Sequence, residues 1–178
     1  MIYVMLAEGF EEIEALTVVD YVRRAGIELK TVGVTGKVVT GSHNIPVTAD
    51  LLSEETKIIP DMVVLPGGLP GTTYLDESQY VKDMITACLE QGGMAVAICA
   101  APSVLGGMGL LNGKEAICYP GFEEKLIGAT VSESPVVRDG NLITAKAAGV
   151  ANEFAYAIIE AMSGREKAEE IRNQIYDI

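Results

Sequence analysis

The sequence predicts an α/β protein, a three-layer α/β/α sandwich around a mostly parallel sheet, and three observations lead there. Short apolar runs without polar alternation, Ile2–Ala7 and Met94–Ile98 among them, are what strands buried on both faces of a parallel sheet require. Segments of helical periodicity separate these runs, the order that covers a sheet with helices on both sides. Glycine-rich or small-residue breaks follow the strands, as at Pro66-Gly67-Gly68, where such sheets carry their ligand-binding loops.

The elements follow in order. Ile2–Ala7 is the first strand. Glu11–Ala25 is a helix whose acidic first turn and Arg23-Arg24 end both complement the helix dipole, and Gly26 stops it. Glu28–Val34 is the second strand. Turns at Thr35-Gly36 and Gly41-Ser42 bracket Lys37–Thr40, one branch of a hairpin. Met62–Leu65 is a core strand ended by Pro66. Glu77–Gln91 reads as one amphipathic helix with Val81, Met84, Ile85 and Leu89 on its apolar face. Met94–Ile98 is a further buried strand, followed by a helix over Ala100–Met108. Glu115–Cys118, Val136–Val137 and Leu142–Thr144 are shorter strands, and helices at Gly149–Met162 and Arg165–Ile175 close the chain. The sheet these strands make is flavodoxin-like, and residues 1–178 form a single domain, as 178 residues at roughly 150 per domain favour.

Composition narrows the function. Hydrophobic residues make up 49% and charged residues 21%, which excludes a disordered chain. Twenty-five acidic against 13 basic residues give a net charge of −12, and the basic residues are scattered, so neither nucleic acid nor an anionic membrane surface is an expected partner. No secretory signal or membrane-spanning run is present, and Cys88, Cys99 and Cys118 are odd in number and lack CxxC spacing. Free thiols in a reducing cytoplasm fit that pattern. His43 is the single histidine, too little for a zinc site, and no phosphate-binding glycine motif occurs. No cofactor or metal is expected.

Three segments could carry chemistry. In MAVAICAAPSVLG, Cys99 stands between a buried strand and a helix with Ala97, Ala100 and Ala101 around it, and small residues are what a sharp nucleophile turn needs. A helix N-terminus would favour its thiolate; a buried, inert cysteine is the alternative. Cys88 within a helix and Cys118 on a strand lack this context. In VVLPGGLPG, Gly67 and Gly68 could aim backbone N–H groups at one point, as an oxyanion hole does, or form a plain turn. In FEEIEAL, Glu11 and Glu12 read as first-turn charges. Glu14 borders the face carrying Ile13 and Leu16, where burial would raise its pKa and let it share a proton with a thiolate; a solvated glutamate is the alternative.

Taken together, AEGFEEIEA, RRAGIEL, DMVVLPGG, AVAICAAPSVL, VSESPVVRDGNLITA and NEFAYAIIEAMSGREKAEEI resemble the ThiJ/PfpI superfamily, within the glutamine-amidotransferase-like class, and in particular the branch of the Parkinson's-associated protein deglycase. The resemblance covers nearly the whole chain. It implies that Cys99 is the reactive elbow cysteine and Glu14 the acid hydrogen-bonded to it. The N–H groups of Gly68 and Ala100 then form the oxyanion hole. It further implies a cytoplasmic homodimer without metal or organic cofactor. The implied function is glyoxalase or deglycase chemistry on α-oxoaldehydes such as methylglyoxal, or on their adducts. Peroxide sensing through Cys99 oxidation, with a chaperone-like stress response, is the second reading, and a cysteine peptidase or amidase the third.

Three positions depart from the family. Tyr119 in CYPGF replaces a histidine of close relatives, and Ala100 replaces the histidine that follows the nucleophile in the peptidase branch. Ala147-Ala148-Gly149 replaces a GPG-like pocket wall. His43 falls on a hairpin position near the family's dimer interface, from which it would reach the partner's site or remain a surface residue. No residue supports the thiazole-biosynthesis role attached to the family's name.

Overall fold

The computed structural model describes residues 1–177. Strand β1 (Ile2–Leu6), helix α1 (Glu12–Arg24) and strand β2 (Leu29–Gly33) come first, followed by the small strands β3 (Val38–Thr40), β4 (Pro46–Thr48) and β5 (Leu51–Leu52). Strand β6 (Met62–Leu65) leads to α2 (Gly71–Glu77), α3 (Gln79–Glu90), β7 (Met94–Ile98) and α4 (Pro102–Gly107). The chain continues through β8 (Glu115–Ala116), β9 (Thr130–Val131), β10 (Val136–Asp139), β11 (Leu142–Ala145), α5 (Ala151–Ser163) and α6 (Arg165–Gln174).

Seven strands form the main sheet in the order β10-β11-β7-β6-β1-β2-β5. Every pairing in it is parallel except β10 with β11. The five long parallel strands run 2-1-3-4-5 across the sheet, the flavodoxin-like order, which places a ligand crevice at the carboxyl ends of the central strands. Those ends are Leu6, Leu65 and Ile98.

The strands are apolar throughout because each is buried on both sides. Ile2, Val4 and Leu6 of β1, Met62 and Val64 of β6, and Val96 and Ile98 of β7 face the layer built from α1, α5 and α6. Their alternates Tyr3, Met5, Val63, Leu65, Ala95 and Ala97 face the layer of α2, α3 and α4. A fully buried Val, Leu or Ile contributes about 1.5–3 kcal/mol, so these rows hold the strand ends, and what stands on them, in place.

The differences from the sequence reading are local. The helix read over Glu77–Gln91 is α3, started at Gln79 by Ser78, whose hydroxyl accepts the Val81 N–H at 3.3 Å, and the short α2 before it carries no helix in the sequence reading. The helix read from Ala100 begins at Pro102, because Cys99–Ala101 make the turn out of β7. Strand β8 is two residues long rather than four and pairs with β9, which carries no strand pattern of its own. The hairpin branch over Lys37–Thr40 is β3, antiparallel to β4.

Candidate active site

At the carboxyl end of β7 the backbone turns sharply. Cys99 adopts φ 65°, a left-handed conformation that costs a residue with a side chain about 1–3 kcal/mol. Hydrogen bonds on both sides hold it there: its N–H donates to the Ala145 carbonyl (2.9 Å), and its carbonyl accepts from Tyr119 N–H (2.8 Å). Ala100 and Ala101 are buried, so larger side chains there would have nowhere to go. The thiol itself is half-buried, unlike those of Cys88 and Cys118, which lie in the core.

Glu14 reaches the thiol from α1. The buried stripe of that helix runs through Glu14, Ala15, Val18, Val19 and Val22. Ile13 is 55% exposed and Leu16 only half-buried, so the apolar face is not the one the sequence suggested, and Glu14 lies within the buried stripe rather than at its border. One carboxyl oxygen, Oε2, accepts the Gly67 N–H at 2.8 Å. The other, Oε1, is buried without a partner of strict hydrogen-bond geometry, and the Cys99 thiol is the neighbour with which the carboxyl interacts.

Gly67 is what lets the two side chains meet. A Cβ there would stand 2.6 Å from Glu14 Oε2 and 2.7 Å from Cys99 Cβ. Gly68, at φ 88°, brings its backbone so close to the Gly9–Glu11 turn that a Cβ would lie 2.5 Å from the Glu11 nitrogen. Glu11 N–H in turn donates to the Gly67 carbonyl at 2.9 Å. Loop 66–71 and the start of α1 are therefore packed backbone on backbone, which fixes Glu14 relative to Cys99.

Burial pushes the Glu14 carboxyl up from 4.5 to about 7, opposed by its contacts with the Cys99 thiol and the Gly67 N–H. Burial also pushes the Cys99 thiol up from 9.0 to about 12, and the Glu14 charge adds to that. The N–H groups of Ala100 and Gly68 act on the same sulfur in the opposite direction. The expectation of a thiol lowered by a helix N-terminus is thus corrected: α4 starts three residues later, spans six residues, and is outweighed by desolvation. Two like charges form together in this space only at high pH. Between the two titrations the pair holds one proton and one negative charge, exchanged between thiolate beside carboxylic acid and thiol beside carboxylate.

A cavity of about 280 Å³ opens over the sulfur, lined by Glu11, Gly68, Leu69, Cys99, Ala100, Tyr119 and Phe122. Gly68 and Ala100 line it, whereas the Gly67 N–H, which the sequence offered beside that of Gly68, is taken by Glu14. Glu11 and Tyr119 also belong to the wall, whereas Ala147-Ala148-Gly149 do not line this cavity. Glu12 is not simply a first-turn charge. It is buried, and its carboxylate accepts the His43 N–H (2.8 Å) and contacts His43 Nδ1 (3.0 Å), clamping the turn between β3 and β4. His43 is exposed and turned to these carboxylates, not to Cys99. Glu11, Glu12 and His43 bring donor atoms within 4.8 Å of one another, and contacts within the chain account for this grouping.

Residues 1–161 match the family described as the DJ-1/PfpI family. The chain is 40% identical over 172 residues to Protein dj-1beta of Drosophila melanogaster, covering 94% of this chain and 92% of that protein. It is 29% identical over 163 residues to a glutathione-independent glyoxalase of Caenorhabditis elegans, covering 90% and 87%. Two Arabidopsis thaliana DJ-1 homologs are longer, and the chain spans 40% and 45% of them. The structure of oxidized Toxoplasma gondii DJ-1 superposes with a TM-score of 0.91 at 33% identity, covering 98% of this chain and 97% of that one.

Two predictions follow from the shared proton. Alkylation of Cys99 by a neutral reagent should rise with a midpoint near pH 7, where the pair loses its first proton and a share of the charge reaches the sulfur, and rise again as the second proton is lost at higher pH. Glu14→Gln should abolish that midpoint, and peptide mapping should find Cys88 and Cys118 unmodified. A midpoint near 9, the value of an ordinary thiol, would contradict this. The second concerns stability. An acid whose folded pKa is raised binds its proton more tightly when folded, so its contribution is fully present below pH 4.5 and lost as pH rises through about 7. At about 1.4 kcal/mol per pH unit this interval amounts to roughly 3 kcal/mol. Urea unfolding of wild type against Glu14→Gln should diverge by that order across the interval, in favour of the variant at high pH.

Proposed function

The chain belongs to the DJ-1/PfpI family, and from that premise we propose that it is a cysteine-dependent enzyme of the glyoxalase/deglycase type, acting on α-oxoaldehydes such as methylglyoxal or on their adducts. The observation that carries this reading is the buried Glu14 carboxyl beside the Cys99 thiol, with the N–H groups of Gly68 and Ala100 on the same sulfur. A relative named as a glutathione-independent glyoxalase is in keeping with it.

The chemistry needs no external oxidant. In the thiolate–carboxylic acid form, Cys99 sulfur adds to the aldehyde carbon and the carbonyl oxygen becomes an oxyanion. The N–H groups of Gly68 and Ala100 stabilise that charge, and the Glu14 proton then moves to the oxygen, giving a hemithioacetal and a carboxylate. The carboxylate takes the hydrogen from the former aldehyde carbon as a proton and returns it to the neighbouring carbon, while the hydroxyl proton passes from the first oxygen to the second through the enediol, leaving a lactoyl thioester on Cys99. Hemithioacetal and thioester are isomers, so this step moves protons only. Water hydrolyses the thioester to lactate and restores the pair. Glu14 suits both transfers because its raised pKa lies near neutrality, and its Oε1 has no competing partner.

The redox-sensing reading has its own support. The Cys99 thiol is the accessible one of the three, and a relative of closely similar structure is described as oxidized. In that reading Glu14 would donate its proton to an oxidised sulfur. The peptidase reading lacks support, since His43, the single histidine, is held by Glu12 and does not line the cavity. A homodimer forms part of the proposal: Ile13 and Ile45, both half exposed, supply apolar surface for it.

The test is steady-state lactate formation from methylglyoxal. Cys99→Ala should be inactive. Glu14→Gln should keep an alkylatable thiol yet lose about 10²-fold or more in turnover, the usual scale for a positioned acid–base group. Glu12→Gln, which loosens a loop, should cost far less. Equal losses from Glu12→Gln and Glu14→Gln would mean that general charge, not a positioned acid, is at work. Peroxide oxidation of Cys99 without turnover would transfer the case to the sensor.

A further inference from the structure

The wall of the Cys99 cavity has a marked chemical bias. Leu69, Tyr119 and Phe122 give it apolar carbon and two aromatic rings. Tyr119 is tethered to the nucleophile itself through its N–H on the Cys99 carbonyl, which fixes its backbone beside the elbow, and its side chain, 47% exposed, lines the cavity. The lining contains one charged residue, Glu11, and no Lys, Arg or His.

The neighbouring charges do not offset Glu11. Ser42 Oγ donates to its Oε2 at 3.0 Å, which fixes the carboxylate without neutralising it. His43 Nδ1 lies 3.5 Å from Glu11 Oε1 but 3.0 Å from Glu12 Oε2. An imidazolium there would be shared by two carboxylates, leaving the three groups net negative. Lys125 sits over the Phe122 ring, 4.8 Å from its centre, and lines the adjoining cavity with Asp76 rather than this one. Beneath the mouth, the Cys99–Glu14 pair carries a further negative charge once it has lost its first proton. An anionic substituent entering the cavity would meet repulsion at the rim and at the floor, with no cation to receive it.

We propose that the cavity selects neutral carbonyl compounds with apolar, above all aromatic, substituents and excludes anionic ones, with Glu11 as the excluding residue and Tyr119 as the aromatic wall. The inference rests on the reading of Cys99 as the nucleophile of an α-oxoaldehyde enzyme and narrows its substrates to alkyl and aryl α-oxoaldehydes, against α-oxo acids and phosphorylated carbonyl compounds.

Selectivity can be read without turnover, by alkylation of Cys99 in the folded 178-residue chain. The rate ratio of iodoacetate to iodoacetamide, divided by the same ratio for N-acetylcysteine, should fall about fivefold or more below unity, the scale of one charge at contact distance in water. Glu11→Gln should recover most of that factor. Loss of Glu11 also alters the titration of Glu14, but thiolate fraction affects both reagents alike and cancels in the ratio. The ratio of N-phenylmaleimide to N-methylmaleimide, normalised in the same way, should exceed unity by about fivefold, and Tyr119→Ala should bring it back towards one. Normalised ratios near unity in the wild type, or an iodoacetate ratio unmoved by Glu11→Gln, would overturn the proposal. Methylglyoxal turnover on the same preparation separates the two claims: biased ratios without turnover support the cavity's selectivity and remove the enzyme reading, whereas turnover with unbiased ratios does the reverse.

Discussion

A carboxyl group with no access to water, set against a thiol, is the arrangement on which the rest of this molecule's chemistry depends. Glu14 is 0% exposed, and its charged form has only the Gly67 N–H and the thiol to replace the water it has lost. That is too little to keep an ordinary glutamate ionised, so the proton stays until about neutral pH. The same burial denies Cys99 its thiolate unless the carboxyl is protonated. Each group is made useful by the other's proton.

Holding the pair together requires parts from far apart in the chain. The elbow comes from β7, its brace from β11 through Ala145, its second brace from Tyr119, and the acid from α1. Loop 66–71 is the wedge between them, thin enough to fit because Gly67 and Gly68 carry no side chains. The twisted parallel sheet brings the carboxyl ends of β1, β6 and β7 side by side, which is why three loops distant in sequence converge on one sulfur. The strain at Cys99 and the buried acid both weigh against stability, and the two closely packed core layers offset them.

Much of this was legible in the sequence because its signals are local. Apolar runs gave the strands, and the small residues around Cys99 gave the elbow, since only such residues fit a sharp turn. Family likeness then selected Glu14 from three neighbouring carboxylates. What the sequence concealed depends on packing between distant segments. Ile13 looks like a core residue, yet the stripe through Glu14, Val18 and Val22 is the one that meets the sheet. Glu12 resembles any first-turn acid, and its clamp on the β3–β4 turn exists only because that hairpin folds over α1. The elevated thiol was missed because a helix N-terminus is visible in a sequence and desolvation is not. Ser78, a good helix-starting residue, marks the true start of α3, while the short α2 before it has too few residues to show a periodicity of its own.

The shared proton is measured most directly by infrared difference spectroscopy of the carboxyl C=O stretch. At a pH between 4.5 and about 7, wild-type protein should show one buried protonated carboxyl whose band loses most of its intensity with a midpoint near 7, as carboxylate beside thiol becomes the main form, and is missing from Glu14→Gln. No such band in that interval, with Glu14 ionised like a solvated glutamate, would contradict the account, because Cys99 would then have no proton partner and the proposed chemistry no acid.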